Sequence, residues 1–157
     1  MRTIIGIDPG LDGAFAALSP DGLELQVMPV VAVGKRRQLD EDLIVAWLRR
    51  QAVRPVHVII EAVQAMPKQG VVSMFSFGAS WGLVRGICSG LGLSYELVRP
   101  QEWQRTMLAG QPTGAEYLVA SRLWPDAAWR AGAWSRIPHS GLVDAALIAE
   151  YGRRRGA

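Results

Sequence analysis

The strongest constraint on the fold is a short apolar run near the N-terminus that ends in an acidic residue. Ile4-Ile5-Gly6-Ile7 is rich in β-branched residues and stops at Asp8, which Pro9-Gly10 follows. Such a run, bounded by a turn dipeptide, predicts a central strand that is buried on both faces. A carboxylate at the end of a buried strand is unfavourable unless backbone N–H groups, a charged partner or a metal ion satisfies it. Asp8 is therefore either a turn cap or part of a functional site, and this stretch alone leaves both interpretations open.

The composition is that of an ordinary globular chain. Its 157 residues are 50% hydrophobic and 20% charged, which predicts a single domain, residues 1–157, with a substantial core. We find no apolar run approaching the roughly 20 residues of a membrane span, and no basic-then-apolar leader at the N-terminus. We therefore expect no membrane partner and a cytoplasmic location.

The residue types that bind metals point to carboxylates. Cys88 is the single cysteine, which excludes an internal disulfide, and with only His57 and His139 beside it no zinc-ligand spacing arises. Any bound metal is therefore expected to be a hard ion held by Asp and Glu. The net charge of +3 permits an anionic partner without requiring one.

The first fifty residues predict a meander followed by a helix. Residues 13–18 and 23–28 are predicted strands on either side of a Ser19-Pro20-Asp21-Gly22 turn, so the first three strands are antiparallel. Residues 40–50 predict an amphipathic helix with acids at its start and arginines at its end. Lys35-Arg36-Arg37 lies in a predicted polar connection, which is either a solvated loop or a contact to phosphate.

A second buried strand also ends in an acid. Val56–Glu61 follows the predicted helix, and a strand-helix-strand crossover places it parallel to the first strand and next to it. Asp8 and Glu61 would then emerge side by side at the edge where open α/β sheets bind ligands, and would repel each other or recruit a cation. The alternative is two independent, solvated strand ends.

A long helix with regularly spaced glycines is predicted over residues 70–91. Gly78, Gly82, Gly86 and Gly90 recur at every fourth position, and each destabilises a helix by roughly 1 kcal/mol relative to alanine. A smooth stripe of this kind indicates close packing, either within the chain or against a second copy of the helix in a dimer. Aromatic residues of the segment belong to the core or, if exposed near Glu61, are able to stack on bases.

The C-terminal half predicts one more strand and three helices. The strand covers residues 93–98, and the helices cover residues 101–108 and 115–124 and a last apolar segment that contains Asp144. Between the last two helices, residues 125–138 hold Trp129 and Trp134 with arginines nearby. This irregular segment suits either a nucleic-acid contact or a small satellite core. Asp144 is explained equally by the helix dipole or by burial in a site.

The order of elements and three sequence motifs resemble the RuvC family of Holliday junction resolvases, within the ribonuclease H-like superfold. The motifs are Gly-Ile-Asp-Pro-Gly on the first strand, Ile-Ile-Glu on the fourth and Val-Asp-Ala-Ala on the last helix. Residues 66–78 and Arg-Pro-Gln-Glu-Trp at 99–103 look like the phage branch of that family. The resemblance covers nearly the whole chain. It implies an α/β fold with a five-stranded mixed sheet, three antiparallel strands and then two parallel, flanked by helices.

The resemblance also implies a metal-dependent active site. Asp8, Glu61 and Asp144 match the acidic positions that hold two Mg²⁺ ions, for which Mn²⁺ can substitute, and His139 would position or deprotonate the attacking water. Family members usually carry a further acid just before the final Asp, where this chain has Ser140 and Gly141. The second metal position is therefore an open question at the level of sequence.

Resolvases of this family act as homodimers that cut paired strands of a four-way DNA junction. The glycine-bearing helix matches the family's dimer contact, and the setting would be the cytoplasm of a bacterium or of a phage-infected host cell. Lys68 would lie near the scissile phosphate. The further predicted DNA contacts are Lys35, Arg36, Arg37, Phe75, Phe77, Arg85 and Arg105.

Three alternatives to a resolvase are considered. A noncatalytic junction-binding dimer is favoured by Ser140, and a ribonuclease H-like nuclease with another substrate shares the same acids. A sugar kinase or actin-like protein shares the superfold but needs two lobes, for which 157 residues leave no room. We therefore expect no nucleotide cofactor.

Overall fold

The structure is a computed structural model that describes residues 2–62 and 70–157. Within these ranges the chain forms seven strands and five helices. The strands are β1 (Thr3–Asp8), β2 (Ala14–Ser19), β3 (Gly22–Val27), β4 (Val30–Val33), β5 (Arg36–Leu39), β6 (Val56–Glu61) and β7 (Ser94–Val98). The helices are α1 (Glu41–Gln51), α2 (Val71–Gly90), α3 (Pro100–Met107), α4 (Glu116–Leu123) and α5 (Ser140–Arg154).

Five of the strands form one mixed sheet in the order β3-β2-β1-β6-β7. The pairs β1–β2 and β2–β3 are antiparallel, whereas β1–β6 and β6–β7 are parallel. This arrangement confirms the predicted α/β fold with three antiparallel strands followed by two parallel ones. Ile7 lies opposite Ile60, so the next residues, Asp8 and Glu61, stand at adjacent strand ends.

Helix α5 lies directly on the centre of the sheet because glycines at the contact remove the side chains that would separate the two. A Cβ at Gly6 of β1 would collide with the backbone of Ala145 and Ala149, and a Cβ at Gly152 would collide with the side chain of Ile59. Most of α5 is buried as a consequence. This close approach holds the start of α5 over the end of β1.

Helices α1 and α2 cover the opposite face of the sheet. Successive residues of a strand face opposite sides, so Ile5 and Ile7 join this second cluster, whereas Ile4 joins the cluster around α5. Trp47 of α1 packs against Phe15, with ring centroids 5.2 Å apart. The start of α1 is capped by Asp40, whose side chain accepts the N–H of Leu43 at 3.0 Å. The amphipathic helix predicted here is confirmed.

The predicted polar connection around residues 35–37 is instead a hairpin. Strands β4 and β5 pair antiparallel in a separate two-stranded sheet, and Gly34, with φ of +63°, allows the tight turn between them. Arg36 and Arg37 are strand residues, and Lys35 lies in the turn. The sequence prediction was wrong because β-branched residues, Val30, Val31 and Val33, favour a strand despite their exposure.

The glycine stripe of α2 faces away from the rest of the described chain. A Cβ at any of the four glycines would meet no atom within 4 Å among those residues. The stripe therefore makes no close contact within the described protomer, and of the two predicted roles the contact with a second copy is the one left to test.

Helix α2 is also more apolar than the sequence analysis allowed. By length and composition alone it is able to cross a membrane, with a mean hydropathy of 1.3 and 17% of the apolar window buried. The continuous count of apolar residues failed to find it because glycine and serine interrupt the run. One such helix is weak evidence for a membrane protein, and the exposed apolar face has another explanation below.

Candidate metal and nucleic-acid site

Three acidic side chains from separate elements meet at the carboxyl-terminal edge of the parallel strands. Asp8 ends β1 and Glu61 ends β6, and the strand register makes them neighbours. Asp144 is the fifth residue of α5, the helix that lies across β1. The charges of Asp8 and Glu61 both raise the pKa of Asp144, which places the three carboxyl groups within electrostatic reach of one another.

Burial makes these carboxyl groups hard to ionise. It is the largest cause of a pKa of about 7 for Asp8, to which the negative charge of Glu61 also contributes. Burial likewise raises the pKa of Asp144 to about 7 and raises the pKa of Glu61 above its usual range. Among the ion pairs of the described residues, none involves any of the three acids. Such a set lacks positive charge, and a bound cation would supply it.

The chemistry of this donor set fits Mg²⁺, although the side chains are not yet gathered around an ion. Carboxylate oxygens are the donors that hard divalent cations prefer. As the side chains stand, no three His, Cys, Asp or Glu residues within 2–62 and 70–157 are close enough to hold one ion. The carboxylates would have to change rotamer to converge on a metal.

Trp103 positions one of these carboxylates. Its indole Nε1 donates a hydrogen bond of 2.8 Å to Oε1 of Glu61, and this bond lowers the pKa of Glu61 against the effect of burial. Trp103 is buried, and α3 holds it through a capping arrangement in which the Glu102 side chain accepts the N–H of Arg99 at 3.1 Å. In the sequence, Arg-Pro-Gln-Glu-Trp contributes only to the resemblance, and no local pattern predicts this role of Trp103.

His139 caps the helix that carries Asp144. Its ring Nδ1 accepts the backbone N–H of Leu142 at 3.3 Å, and its backbone N–H donates to the carbonyl of Trp129 at 2.6 Å. Because Nδ1 accepts a hydrogen bond, the proton of the neutral ring lies on Nε2. His139 is thus placed to donate a hydrogen bond from Nε2, and in this tautomer it has no free lone pair with which to deprotonate water.

Of the two residues that stand where the resemblance places an additional acid, Ser140 and Gly141, only Gly141 has no space for a side chain. A Cβ at Gly141 would lie 2.7 Å from the carbonyl oxygen of Asp12 and 2.9 Å from the backbone of Gly13. Ser140 is exposed and free of this contact. Glycine at 141 therefore serves the packing of α5 against the β1–β2 turn, and only Ser140 has room for an acid.

Two acids near the site were not singled out from the sequence. The charge of Asp12 contributes to the raised pKa of Asp8, and that of Glu116, at the start of α4, contributes to the raised pKa of Asp144. Arg37 of the hairpin donates to Oδ1 of Asp12 at 3.0 Å and to the carbonyl of Leu11 at 3.2 Å. Asp12 lies four residues after Asp8 in the sequence, whereas Arg37 and Glu116 come from distant parts of it and are brought to the site by the fold.

A cleft of about 540 Å³ opens beside Asp8, between the β1–β2 turn and the start of α2. Asp8 and Asp12 line one wall, and Ser73, Ser76 and Phe77 line the other. Phe77 lies against Gly10, where a Cβ would be 3.1 Å from its ring. The cleft combines acids, hydroxyl groups and an aromatic edge directly beside Asp8.

The predicted DNA contacts fall into three groups. Lys35, Arg36, Arg37 and Arg105 are exposed, and so is Phe75, at 79%. Arg85 is partly buried, with its guanidinium 4.3 Å from the ring centroid of Trp81, which is a packing contact. Lys68 lies outside the described residues. Contact with DNA stays a prediction for all of them.

No protein-family model matches the sequence, and no curated protein matches it significantly. The structure is similar to solved structures of Holliday junction resolvases. Thermus thermophilus RuvC in complex with a Holliday junction substrate matches with a TM-score of 0.65 and 17% identity, over 99% of this chain and 97% of that chain. A second structure of T. thermophilus RuvC gives 0.58 and 18%, with the same coverage. The yeast mitochondrial Holliday junction resolvase Ydc2 gives 0.61 and 12%, over 98% of this chain and 78% of that chain.

These comparisons establish that the chain has the RuvC-like, ribonuclease H-like fold that the sequence motifs predicted. At identities below one fifth they establish the fold alone. Membership of the phage branch stays a prediction.

Proposed function

We propose that this protein is a metal-dependent endonuclease that resolves four-way DNA junctions as a homodimer. The observation that carries the proposal is that Asp8, Glu61 and Asp144 lie within electrostatic reach of one another at the sheet edge of a RuvC-like fold, with raised pKa values and no cationic partner among the described residues. Perturbed carboxyl groups beside a cleft are typical of functional sites. The bound junction in the RuvC structure supports four-way DNA as the substrate class.

Asp8, Glu61 and Asp144 would hold the metal, proposed to be two Mg²⁺ ions. When bound, such ions activate a water molecule and stabilise the leaving oxygen of a phosphodiester. The protonation of the acids themselves controls whether a metal ion can bind. Because Asp8 and Asp144 have pKa values of about 7, they are partly protonated near neutral pH and must lose those protons to bind a cation.

Trp103 and His139 have positioning roles in this proposal. The indole of Trp103 donates to Oε1 of Glu61 and leaves Oε2 without this hydrogen bond, so that Oε2 would be the oxygen offered to a metal. His139, whose Nδ1 is used in the helix cap, would donate from Nε2 to a phosphate oxygen. This assignment replaces the predicted role of His139 as a base and keeps the predicted role in positioning.

The exposed basic residues would hold the DNA backbone. Lys35 and Arg36 on the hairpin and Arg105 on α3 are exposed, and the hairpin is joined to the β1–β2 turn through Arg37. Phosphate contacts release condensed counterions, so binding is expected to weaken steeply as salt rises.

Dimerisation through α2 follows from its exposed surface. The four glycines have no neighbour within 4 Å among the described residues, and Val71 and Phe75 are 84% and 79% exposed on the same helix. A second copy of α2 would bury this apolar surface, and the glycines would allow the two helices to approach closely. A homodimer would also supply two active sites for the paired cuts of a symmetric junction.

A substrate panel tests the proposed activity. A synthetic four-way junction, a linear duplex of the same sequence and an RNA–DNA hybrid are each incubated with Mg²⁺, with Mn²⁺ and with EDTA. We expect metal-dependent nicks in the four-way junction and none in the linear duplex. Preferential cutting of the hybrid would instead identify a ribonuclease, and would contradict the proposal.

A noncatalytic junction-binding dimer is the second candidate. It is favoured by Ser140, which is neutral in the stretch where the resemblance places an additional acid, by the lack of space for a side chain at Gly141, and by the absence of three ligands gathered around one point in the described chain. Tight junction binding without cutting in either metal would support it. Recovery of cutting in Ser140→Asp would then identify the missing acid as the cause.

A further inference from the structure

The segment between α4 and α5, residues 124–139, is named here the tryptophan loop, and its indole side chains divide into two environments. Trp129 is buried in the core around α5, and its ring centroid lies 6.2 Å from that of Trp124. Trp134 is 97% exposed. The predicted alternatives for this segment, satellite core and nucleic-acid contact, therefore fall on different residues: Trp129 is core, and Trp134 is available.

Hydrogen bonds hold the backbone on both sides of Trp134. The N–H of Ser135 donates to the carbonyl of Gly132 at 3.1 Å, and its hydroxyl donates to the carbonyl of Ile137 at 2.9 Å. The N–H of His139 donates to the carbonyl of Trp129 at 2.6 Å, which ties the end of the loop to its buried centre. A turn closed on both sides therefore presents the indole to solvent.

The charges around Trp134 favour an anionic partner. Arg130 and Arg136 flank it and are both exposed. Among the described residues, neither forms an ion pair or a side-chain hydrogen bond. Asp126 is the single acid in the sequence of the loop. In the sequence Arg136 stands between Trp134 and Ile137, the two large apolar side chains of the loop that are exposed, so the arginines interleave with the exposed apolar residues.

The loop leads directly into the candidate site. His139 is both the last residue of the loop and the N-cap of α5, which carries Asp144. Five residues span at most about 18 Å, so Trp134 is anchored within that distance of the cap. Asp144 follows five residues after this cap, on the same helix, so the loop and the acids are joined by a short stretch of chain.

We infer that Trp134 stacks on a base near the cleavage point of the bound junction while Arg130 and Arg136 contact the flanking phosphates. This inference rests on the proposed function and adds a residue that selects the substrate. An indole is able to stack on any base that has unstacked from the adjacent base. A base at a strand crossover unstacks more easily than a base inside a paired duplex. The arginines on either side of Trp134 would supply the contacts to the DNA phosphate backbone.

Equilibrium binding tests this role separately from cutting. Fluorescence anisotropy measures the Kd of each protein for a labelled four-way junction and for a linear duplex, with EDTA present. Trp134→Ala is expected to raise the junction Kd about tenfold or more and the duplex Kd much less, whereas Trp134→Phe retains most of the affinity. Val53→Ala, an 83% exposed residue at the opposite end of the sheet, is the matched control and leaves both values unchanged.

The arginines are tested by the salt dependence of the same binding. Arg130→Gln with Arg136→Gln is expected to reduce the slope of log Kd against log salt by about 2, one for each phosphate contact. Arg49→Gln, exposed at the far end of α1, is expected to leave the slope unchanged.

The outcomes separate this inference from the proposed function. If the unmodified protein prefers the junction and Trp134→Ala binds it equally well, the inference is overturned and the proposed function stands. An equal loss on junction and duplex also overturns base stacking as the role of Trp134. If the unmodified protein shows no preference for the junction, both the proposed function and the inference fail.

Discussion

The indole Nε1 of Trp103 lies 2.8 Å from Oε1 of Glu61, and through this bond a buried aromatic residue on α3 fixes a carboxylate at the end of β6. Trp103 is 1% exposed, so its orientation is set by the core around α5. The chain thereby couples its hydrophobic core to the position of one acid of the candidate site. A second buried tryptophan, Trp47, makes the same kind of bond to Glu24, at 3.1 Å, away from the three acids.

Removing the indole N–H of Trp103 should free the Glu61 carboxylate from its hydrogen bond while an aromatic ring still fills the core. Trp103→Phe keeps an aromatic ring but removes the N–H, so we expect the pKa of Glu61 to rise further and the affinity for Mn²⁺ to fall about tenfold, as is typical for a lost outer contact to a metal ligand. Isothermal titration of the protein with Mn²⁺ measures the change.

Trp47→Phe is the matched control for that substitution. It removes a similar buried donor and is expected to lower stability by about 1–3 kcal/mol, as Trp103→Phe does, while Mn²⁺ affinity stays unchanged. Equal losses of metal affinity in the two variants would mean that the effect is general destabilisation.

The buried acids predict how the stability of the metal-free protein depends on pH. Asp8 and Asp144 have pKa values raised to about 7, so the folded state binds more protons than the unfolded state between about pH 4 and pH 7. Their contribution is fully present below about pH 4 and is lost as the pH rises through about 7. Urea unfolding in EDTA is therefore expected to show lower stability at about pH 8 than at about pH 5.5.

Removing the charge of Asp8 should restore the stability that is lost at high pH. Asp8→Asn is expected to raise the free energy of unfolding by roughly 1–3 kcal/mol at about pH 8, and to flatten the pH dependence. Asp42→Asn, an exposed change in the first turn of α1, should leave the curve unchanged. The pKa of Glu24 is lowered by hydrogen bonds from Gln51 and Arg50, and that of Glu150 by its two arginine partners, so both acids affect stability only at more acidic pH. A loss of stability in Asp8→Asn would refute the electrostatic account of these acids.

The glycine stripe predicts an oligomeric state. We expect the protein to sediment as a dimer and Gly82→Arg to sediment as a monomer, because arginine would replace the flat surface of α2 with a long charged side chain. The substitution should leave the protomer folded, since a Cβ at Gly82 meets nothing within 4 Å in the described structure. Leu43→Arg, on the exposed side of α1, serves as the control. A dimer that persists in Gly82→Arg would place the interface elsewhere.

Neighbouring positions at the start of α5 should respond in opposite ways to an acid. Gly141→Asp is expected to lower stability by about 2–4 kcal/mol, because its Cβ would lie 2.7 Å from the carbonyl oxygen of Asp12. Ser140→Asp is exposed and in the first turn, where a negative charge is favourable, so it should leave the melting temperature unchanged or slightly raised. Circular dichroism melting curves distinguish the two, and a stable Gly141→Asp would contradict the close contact.

The sequence predicted the sheet because its signals are local and strong. The apolar runs that end in Asp8 and Glu61 fix two buried strands, and the crossover between them fixes their parallel pairing. The turn at Ser19-Pro20-Asp21-Gly22 fixes the meander in the same way. Each of these features depends on residues that are close in the chain. For this reason the α/β architecture can be predicted from the sequence.

The parts that were missed depend on contacts between distant residues. The Trp103–Glu61 hydrogen bond joins residues that are 42 positions apart. The hairpin at residues 30–39 was missed because its valines are exposed to solvent and do not form a buried apolar run. The separation of Trp129 from Trp134 also depends on which one α5 and its neighbours cover. No pattern of composition distinguishes these cases, because burial is decided by the complete fold.

Strand mapping on a four-way junction tests the central claim most directly. Each of the four strands is end-labelled in turn, and the protein is added with Mg²⁺ beside Asp8→Asn as the matched variant. The account predicts nicks at symmetric positions on two opposing strands, dependent on metal and absent in Asp8→Asn, which leaves junction binding intact. Cutting that persists in Asp8→Asn, or that falls equally on a linear duplex, would contradict it.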